Sequence, residues 1–144
     1  MRHVVLLIIV IIILPFGCSH EQPERSIQQA AHVYLSTTPD DQRIVTASWL
    51  MQKIESGTSS DLVVVDNRNE MEYVRGHIPG AIHIPFKAAA DEEFLRRLPK
   101  GKLIVLVCKS GHTSSMVNAI FNMLGYQAVT LKEGMKGWTG KLDQ

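Results

Sequence analysis

From residue 43 onward the apolar positions fall into short blocks whose spacing alternates between two periods. Ile44-Val45 is a brief β-branched pair that predicts a short strand. Thr46 stands at a capping position before Ala47–Glu55, where Trp49, Leu50 and Ile54 share one side and Gly57 ends the run, which predicts a helix. Leu62-Val63-Val64-Val65, bounded by Asp61 and Asp66, is continuous rather than alternating and suits a strand covered on both faces. A short helix over Asn69–Val74 and a strand over Ala81–Ile84 follow. Asp91–Leu98 carries Phe94, Leu95 and Leu98 at helical spacing and stops at Pro99. Leu103–Val107 is a second continuous apolar run, leading into a loop from Cys108 to Thr113. Thr113–Leu124 is the most amphipathic segment, with Met116, Val117, Ile120, Phe121 and Leu124 on one face and Gly125 at its end. Ala128–Leu131 closes the series as a last strand. Strands alternating with helices predict an α/β domain over residues 43–144, with a central, largely parallel sheet flanked by helices.

Upstream the pattern is different. Val4–Leu14 is an unbroken run of eleven aliphatic residues, preceded by Met1-Arg2-His3 and followed, through Phe16 and Gly17-Cys18, by polar Ser19-His20-Glu21-Gln22. A positive start, an apolar stretch of about 7–15 residues and a small residue at its end predict an export signal. A membrane span needs about 20 apolar residues, more than this run supplies. Gly17-Cys18 resembles the lipobox of bacterial lipoproteins, with Pro15 where that pattern prefers Leu. The resemblance implies a signal peptide over residues 1–17, acylation of Cys18, and a membrane-anchored protein of the cell envelope facing the periplasm or exterior. A simple signal peptide or a short retained anchor is the other reading. Residues 18–42, rich in Gln, Ser, Thr and Pro, read as a tether, with a weakly amphipathic patch at Ile27–Leu35 that allows one helix.

Composition narrows the functional classes. The 144 residues hold 15 Lys and Arg against 14 Asp and Glu, so a net charge of +1 gives no electrostatic footprint for nucleic acid. Two cysteines are too few for a disulfide scaffold. His3, His20, His32 and His83 have no metal-ligand spacing with cysteine or carboxylates, so no metal is assigned and no cofactor is expected.

The chemistry concentrates at Cys108, where a buried strand ends and Lys109-Ser110-Gly111-His112 leads into a helix. A helix N-terminus offers unpaired N–H groups and partial positive charge. Gly111 lets the backbone curl those groups inward, while Ser110, Thr113, Ser114 and Ser115 add hydroxyls and Lys109 and His112 add charge. Such surroundings stabilise a thiolate. If Cys18 is acylated, Cys108 has no partner within the chain, and a lone thiol on an exported protein points to reactivity more than packing. Cysteine phosphatases place His before the cysteine and Arg six residues after it; Val107 and Ser114 stand there. A thioredoxin-type dithiol needs a second cysteine where Gly111 stands.

Asp66-Asn67-Arg68-Asn69-Glu70-Met71-Glu72-Tyr73 and Gly76-His77-Ile78-Pro79-Gly80-Ala81-Ile82-His83-Ile84-Pro85 resemble the paired motifs that precede the active-site half of the rhodanese family. Cys108-Lys109-Ser110-Gly111-His112-Thr113-Ser114 is similar to its catalytic loop, and Glu133-Gly134-Met135-Lys136-Gly137-Trp138 to its closing motif. The resemblance implies a single rhodanese-like three-layer domain. It also implies sulfurtransferase activity, in which Cys108 takes a sulfane sulfur from a donor such as thiosulfate, becomes a persulfide, and yields the sulfur to cyanide or a thiol. The loop from Lys109 to Ser114 would bind the donor. Asp66, Arg68, Glu70 and His77 read as structural support for the loop after the Leu62–Val65 strand, and Trp49 and Trp138 as core or closing contacts. Thr113 stands where many members have Arg, and Glu133 where a glycine is common. The alternative is a rhodanese-like binding module or persulfide carrier that serves a partner protein with little turnover of its own.

Overall fold

A computed structural model describes residues 26–39 and 43–144. The export segment and Cys18 lie outside the described residues. Helix α1 (Ile27–Thr37) precedes β1 (Ile44–Val45), α2 (Ala47–Glu55), β2 (Leu62–Asp66), α3 (Glu70–Arg75) and β3 (Ile82–His83). Then come α4 (Glu92–Arg97), β4 (Leu103–Val107), α5 (His112–Met123), β5 (Gln127–Leu131) and the short α6 (Gly134–Gly137).

The five strands form one parallel sheet in the order β1-β5-β4-β2-β3. The two continuous apolar runs become the adjacent inner strands β2 and β4, in register from Leu62 opposite Leu103 to Asp66 opposite Val107. Strand alternation sends Val65, Ile104 and Leu106 to one face, where Val117 and Phe121 of α5 and Leu98 after α4 complete a core. Val64, Val105 and Val107 go to the other face, against Leu50 of α2, Ile78 and Leu131, with Trp49 and Trp138 packed at its margin. Burying a side chain such as Phe121 fully is worth about 1.5–3 kcal/mol, so the two layers hold the sheet from both sides. The α/β expectation with a parallel sheet and flanking helices is therefore met.

Local signals act as the pattern requires. Thr46 Oγ1 accepts the Trp49 N–H at 3.2 Å to open α2, and Asn69 Oδ1 accepts the Glu72 N–H at 2.9 Å to open α3. Ser26 and Gln29 form a reciprocal capping box at the start of α1. That helix has no buried residue but leans on α5, so part of the expected tether is attached to the domain.

One expectation needs correction. The face of α5 turned to the core carries Ser114, Val117, Asn118 and Phe121, while Met116, Ile120 and Leu124 are 50%, 37% and 53% exposed. The rotation of α5 is set by its start, not by its most apolar stripe. Ser114 is drawn to the Cys108 sulfur, and Asn118 donates to the Arg43 carbonyl at 3.4 Å.

Candidate active site

Cys108 follows the last residue of β4, the middle strand, and is 3% exposed. The chain then turns through exposed Lys109 and Ser110 to Gly111, whose φ of 89° lies in the left-handed region. This turn brings the Gly111 N–H back to the sulfur, 3.1 Å from Sγ, and leaves Gly111 as the cap of α5. The Ser114 hydroxyl lies 3.3 Å from Sγ and 3.1 Å from the Gly111 carbonyl. It has one proton for two acceptors, and an ionised sulfur is the stronger of them.

Electrostatics at the sulfur come from dipoles. Burial alone pushes the Cys108 thiol up. Hydrogen bonding from the Ser114 and Thr113 hydroxyls and from the Ser114 and Ser110 backbone outweighs it, leaving the thiol below its ordinary value. Among the described residues no charged side chain contributes to that shift. Of the loop residues expected from sequence, Gly111 and Ser114 thus hydrogen-bond the sulfur, and Ser110 and Thr113 favour its ionised form. Lys109 and His112 have exposed side chains and donate it no hydrogen bond.

The far side of the loop is held by the β5–α6 turn. Met135 N–H donates to the Cys108 carbonyl at 2.8 Å and Lys136 N–H to the Lys109 carbonyl at 3.1 Å. Gly134 packs directly against this backbone and Glu133 adopts a φ of 62° to deliver it. Sequence reasoning assigned Gly134 no role at the site; its signal was a glycine immediately after the last strand, inside the closing motif. Asn67 was also missed. It is 3% exposed, its N–H donates to the Val107 carbonyl at 2.7 Å, and its Nδ2 donates to the Ile84 carbonyl at 2.8 Å. Its buried Oδ1 has no hydrogen-bond partner among the described residues.

The loop after β2 is pinned by charge. Arg68 Nη2 lies 2.6 Å from Asp66 Oδ2, Nε is 3.0 Å from both carboxylate oxygens, and Nη2 also donates to the Gly76 carbonyl at 2.7 Å. His77 joins through Tyr73, donating from Nδ1 to its carbonyl at 3.0 Å and stacking on its ring at 3.9 Å. On the ring's account His83 stacks too, at 4.5 Å, and its Nε2 donates to the Arg68 carbonyl. Glu70 does not belong to this set. It is exposed in the first turn of α3, where a negative charge complements the helix N-terminus.

Comparison with known proteins agrees with this geometry. The rhodanese-like domain family model matches residues 46–141. YtwF of Bacillus subtilis, named as a candidate sulfurtransferase, is 31% identical over 97 residues, covering 67% of this chain and 90% of that protein. YrkF of the same organism, named as a candidate sulfur carrier, is 34% identical over 93 residues, covering 64% of this chain; the chain spans only 48% of YrkF. Among crystal structures, the rhodanese-like domain protein of Staphylococcus aureus superposes with a TM-score of 0.61 at 28% identity, over 70% of this chain and 96% of that one. The BH2092 protein of Bacillus halodurans gives 0.66 at 26% identity, over 82% and 86%. With the family match running from the cap of α2 past α6, this chain belongs to the rhodanese-like domain family.

Proposed function

We propose that the chain is a sulfurtransferase that carries sulfur as a persulfide on Cys108. It takes a sulfane sulfur from a donor such as thiosulfate or polysulfide and passes it to a thiophilic acceptor, cyanide or a thiol. The observation that carries this reading is the convergence of the Gly111 N–H and the Ser114 hydroxyl on a buried sulfur at the start of α5. Donors fixed in place need no reorganisation as negative charge moves from Sγ to the terminal sulfur. Sulfur-transfer names among the relatives support the same class. Mass spectrometry after incubation with thiosulfate or polysulfide tests it: one added sulfur atom on wild type and none on Cys108→Ala is expected. Wild type that gains no sulfur from either donor overturns it.

The envelope is the proposed location, supported by the Val4–Leu14 run and Gly17-Cys18. Metabolic labelling with an alkynyl fatty acid, lost in Cys18→Ser, is the expected result; unlabelled wild type in the soluble fraction contradicts it.

A further inference from the structure

Helices α1 and α5 contain no Asp, Glu, Lys or Arg, whereas α2, α3, α4 and α6 each carry at least one. A surface helix of a globular domain ordinarily turns charged side chains to water. Here the exposed residues of α5 and its cap include Met116, Ile120 and Leu124, which follow exposed His112 at intervals of four. They form one stripe, about 18 Å long at the helical rise. Helix α1, which leans on α5, adds Ile27 and Leu35, 85% and 73% exposed. Arg43 fixes the end of α1, donating from Nη2 to the Thr37 carbonyl at 3.4 Å with its guanidinium over the Tyr34 ring. Exposed apolar side chains gathered on two touching helices mark an interaction surface.

Position and charge identify what covers it. Ser26, the cap of α1, stands eight residues after Cys18. Eight residues span at most about 29 Å, so a lipid on Cys18 would hold this face beside a bilayer. At the foot of the stripe Lys100 and Lys102 share a cleft with Leu124 and Tyr126, and among the described residues no carboxylate lines it. Such a pair complements anionic headgroups. A protein partner takes its register from complementary charges, and the two helices offer none; a lipid surface needs no register.

We propose that the α1–α5 face seats the domain on a bilayer surface, with the Met116–Leu124 stripe at the boundary of headgroups and acyl chains and Lys100 and Lys102 on anionic headgroups. The proposal rests on the reading of Gly17-Cys18 as a lipid anchor. Seated in this way, His112 at the head of the stripe brings the loop that follows Cys108 to the edge of the lipid.

Two native methionines serve as probes. Met116 is 50% exposed. Met71 is 76% exposed on α3, which packs through Tyr73 on the other face of the sheet. The full chain is reconstituted in vesicles of phosphatidylethanolamine and phosphatidylglycerol, recovered by flotation and oxidised briefly with a water-soluble chloramine. Mass spectrometry then reads the sulfoxide at each methionine. Relative to Met71, Met116 is expected to oxidise at least about fivefold more slowly on wild type than on the double variant Ile120→Asp, Leu124→Asp, because insertion by about 5–10 Å covers a half-exposed side chain. The protection is expected to persist on dilution to single copies per vesicle. Protection lost on that dilution assigns the face to a second copy and overturns the proposal. Wild type that floats with Met116 oxidised in step with Met71 overturns it while leaving the anchor intact, and does so even if the double variant fails to fold. Equal protection in a folded double variant also overturns it. A full chain that does not float overturns the anchor reading, and the seating with it.

Discussion

A methyl group placed on Gly134 would stand 2.1 Å from the carbonyl oxygen of Cys108, and 2.9 Å from the amide nitrogens of Ser110 and Gly111. The close approach lets the next residue, Met135, donate its N–H to that same carbonyl. The cysteine loop is therefore shaped by backbone contact from a distant turn as well as by its own glycine.

Gly134→Ala should accordingly be among the most damaging single changes. It adds a clash with backbone atoms and forces alanine into a φ of 54°, so a loss of at least about 2 kcal/mol is expected. Urea unfolding gives the stability, and iodoacetamide alkylation of Cys108 reports the loop. Unchanged values for both would show that the turn can retreat freely.

Ser114→Ala removes a hydroxyl that favours the thiolate, so the Cys108 titration, followed by thiolate absorbance, should move upward. Linkage gives a second readout. The native thiol lies below its ordinary value, so the thiolate stabilises the fold fully above the unfolded thiol range. This contribution is lost as pH falls through the native value. Wild type should gain unfolding free energy as pH rises across that interval, and Ser114→Ala should gain less. Parallel stability profiles would refute the role given to the hydroxyl.

Arg68→Met leaves Asp66, 1% exposed, without its charge partner, and a loss of roughly 3–5 kcal/mol is expected. Asp66→Asn in the same chain should recover part of it, because the uncompensated charge is then gone. A thermal unfolding series with both single variants and the double variant measures the coupling. Strict additivity would mean that the pair does not pin the loop.

Lys109→Glu reverses an exposed charge beside Cys108, the proposed nucleophile. Persulfide formation with thiosulfate should slow roughly threefold or more at low salt, and the deficit should shrink near 1 M salt, where the Debye length is about 3 Å. Kinetics equal to wild type at low salt would exclude electrostatic attraction by this residue.

The fold was legible where the chain speaks locally. The runs at Leu62–Val65 and Leu103–Val107 fall on the two inner strands β2 and β4, and Thr46 caps the helix it precedes, while Asn69, read as the first residue of its helix, is that helix's cap. Cys108 could be found because a strand end, a glycine and a helix start coincide in the sequence. What stayed hidden depends on tertiary registration. Glu70 looks like part of the Asp66–Arg68 set until α3 turns it to the surface. Met116 and Ile120 look like core until Ser114 fixes the rotation of α5. Gly134 touches Cys108 only because β5 runs beside β4, an adjacency that no local period encodes.

The placement of β4 in the middle of the sheet, with β2 on one side and β5 on the other, has a chemical corollary. Central strands exchange their amide hydrogens last, because freeing them takes near-global opening. Fluctuations of the edge strands β1 and β3 therefore do not uncover the thiol from below. An oxidant then meets the same Gly111 N–H and Ser114 hydroxyl as the proposed sulfur donor, so the groups that favour the thiolate also limit what reaches it.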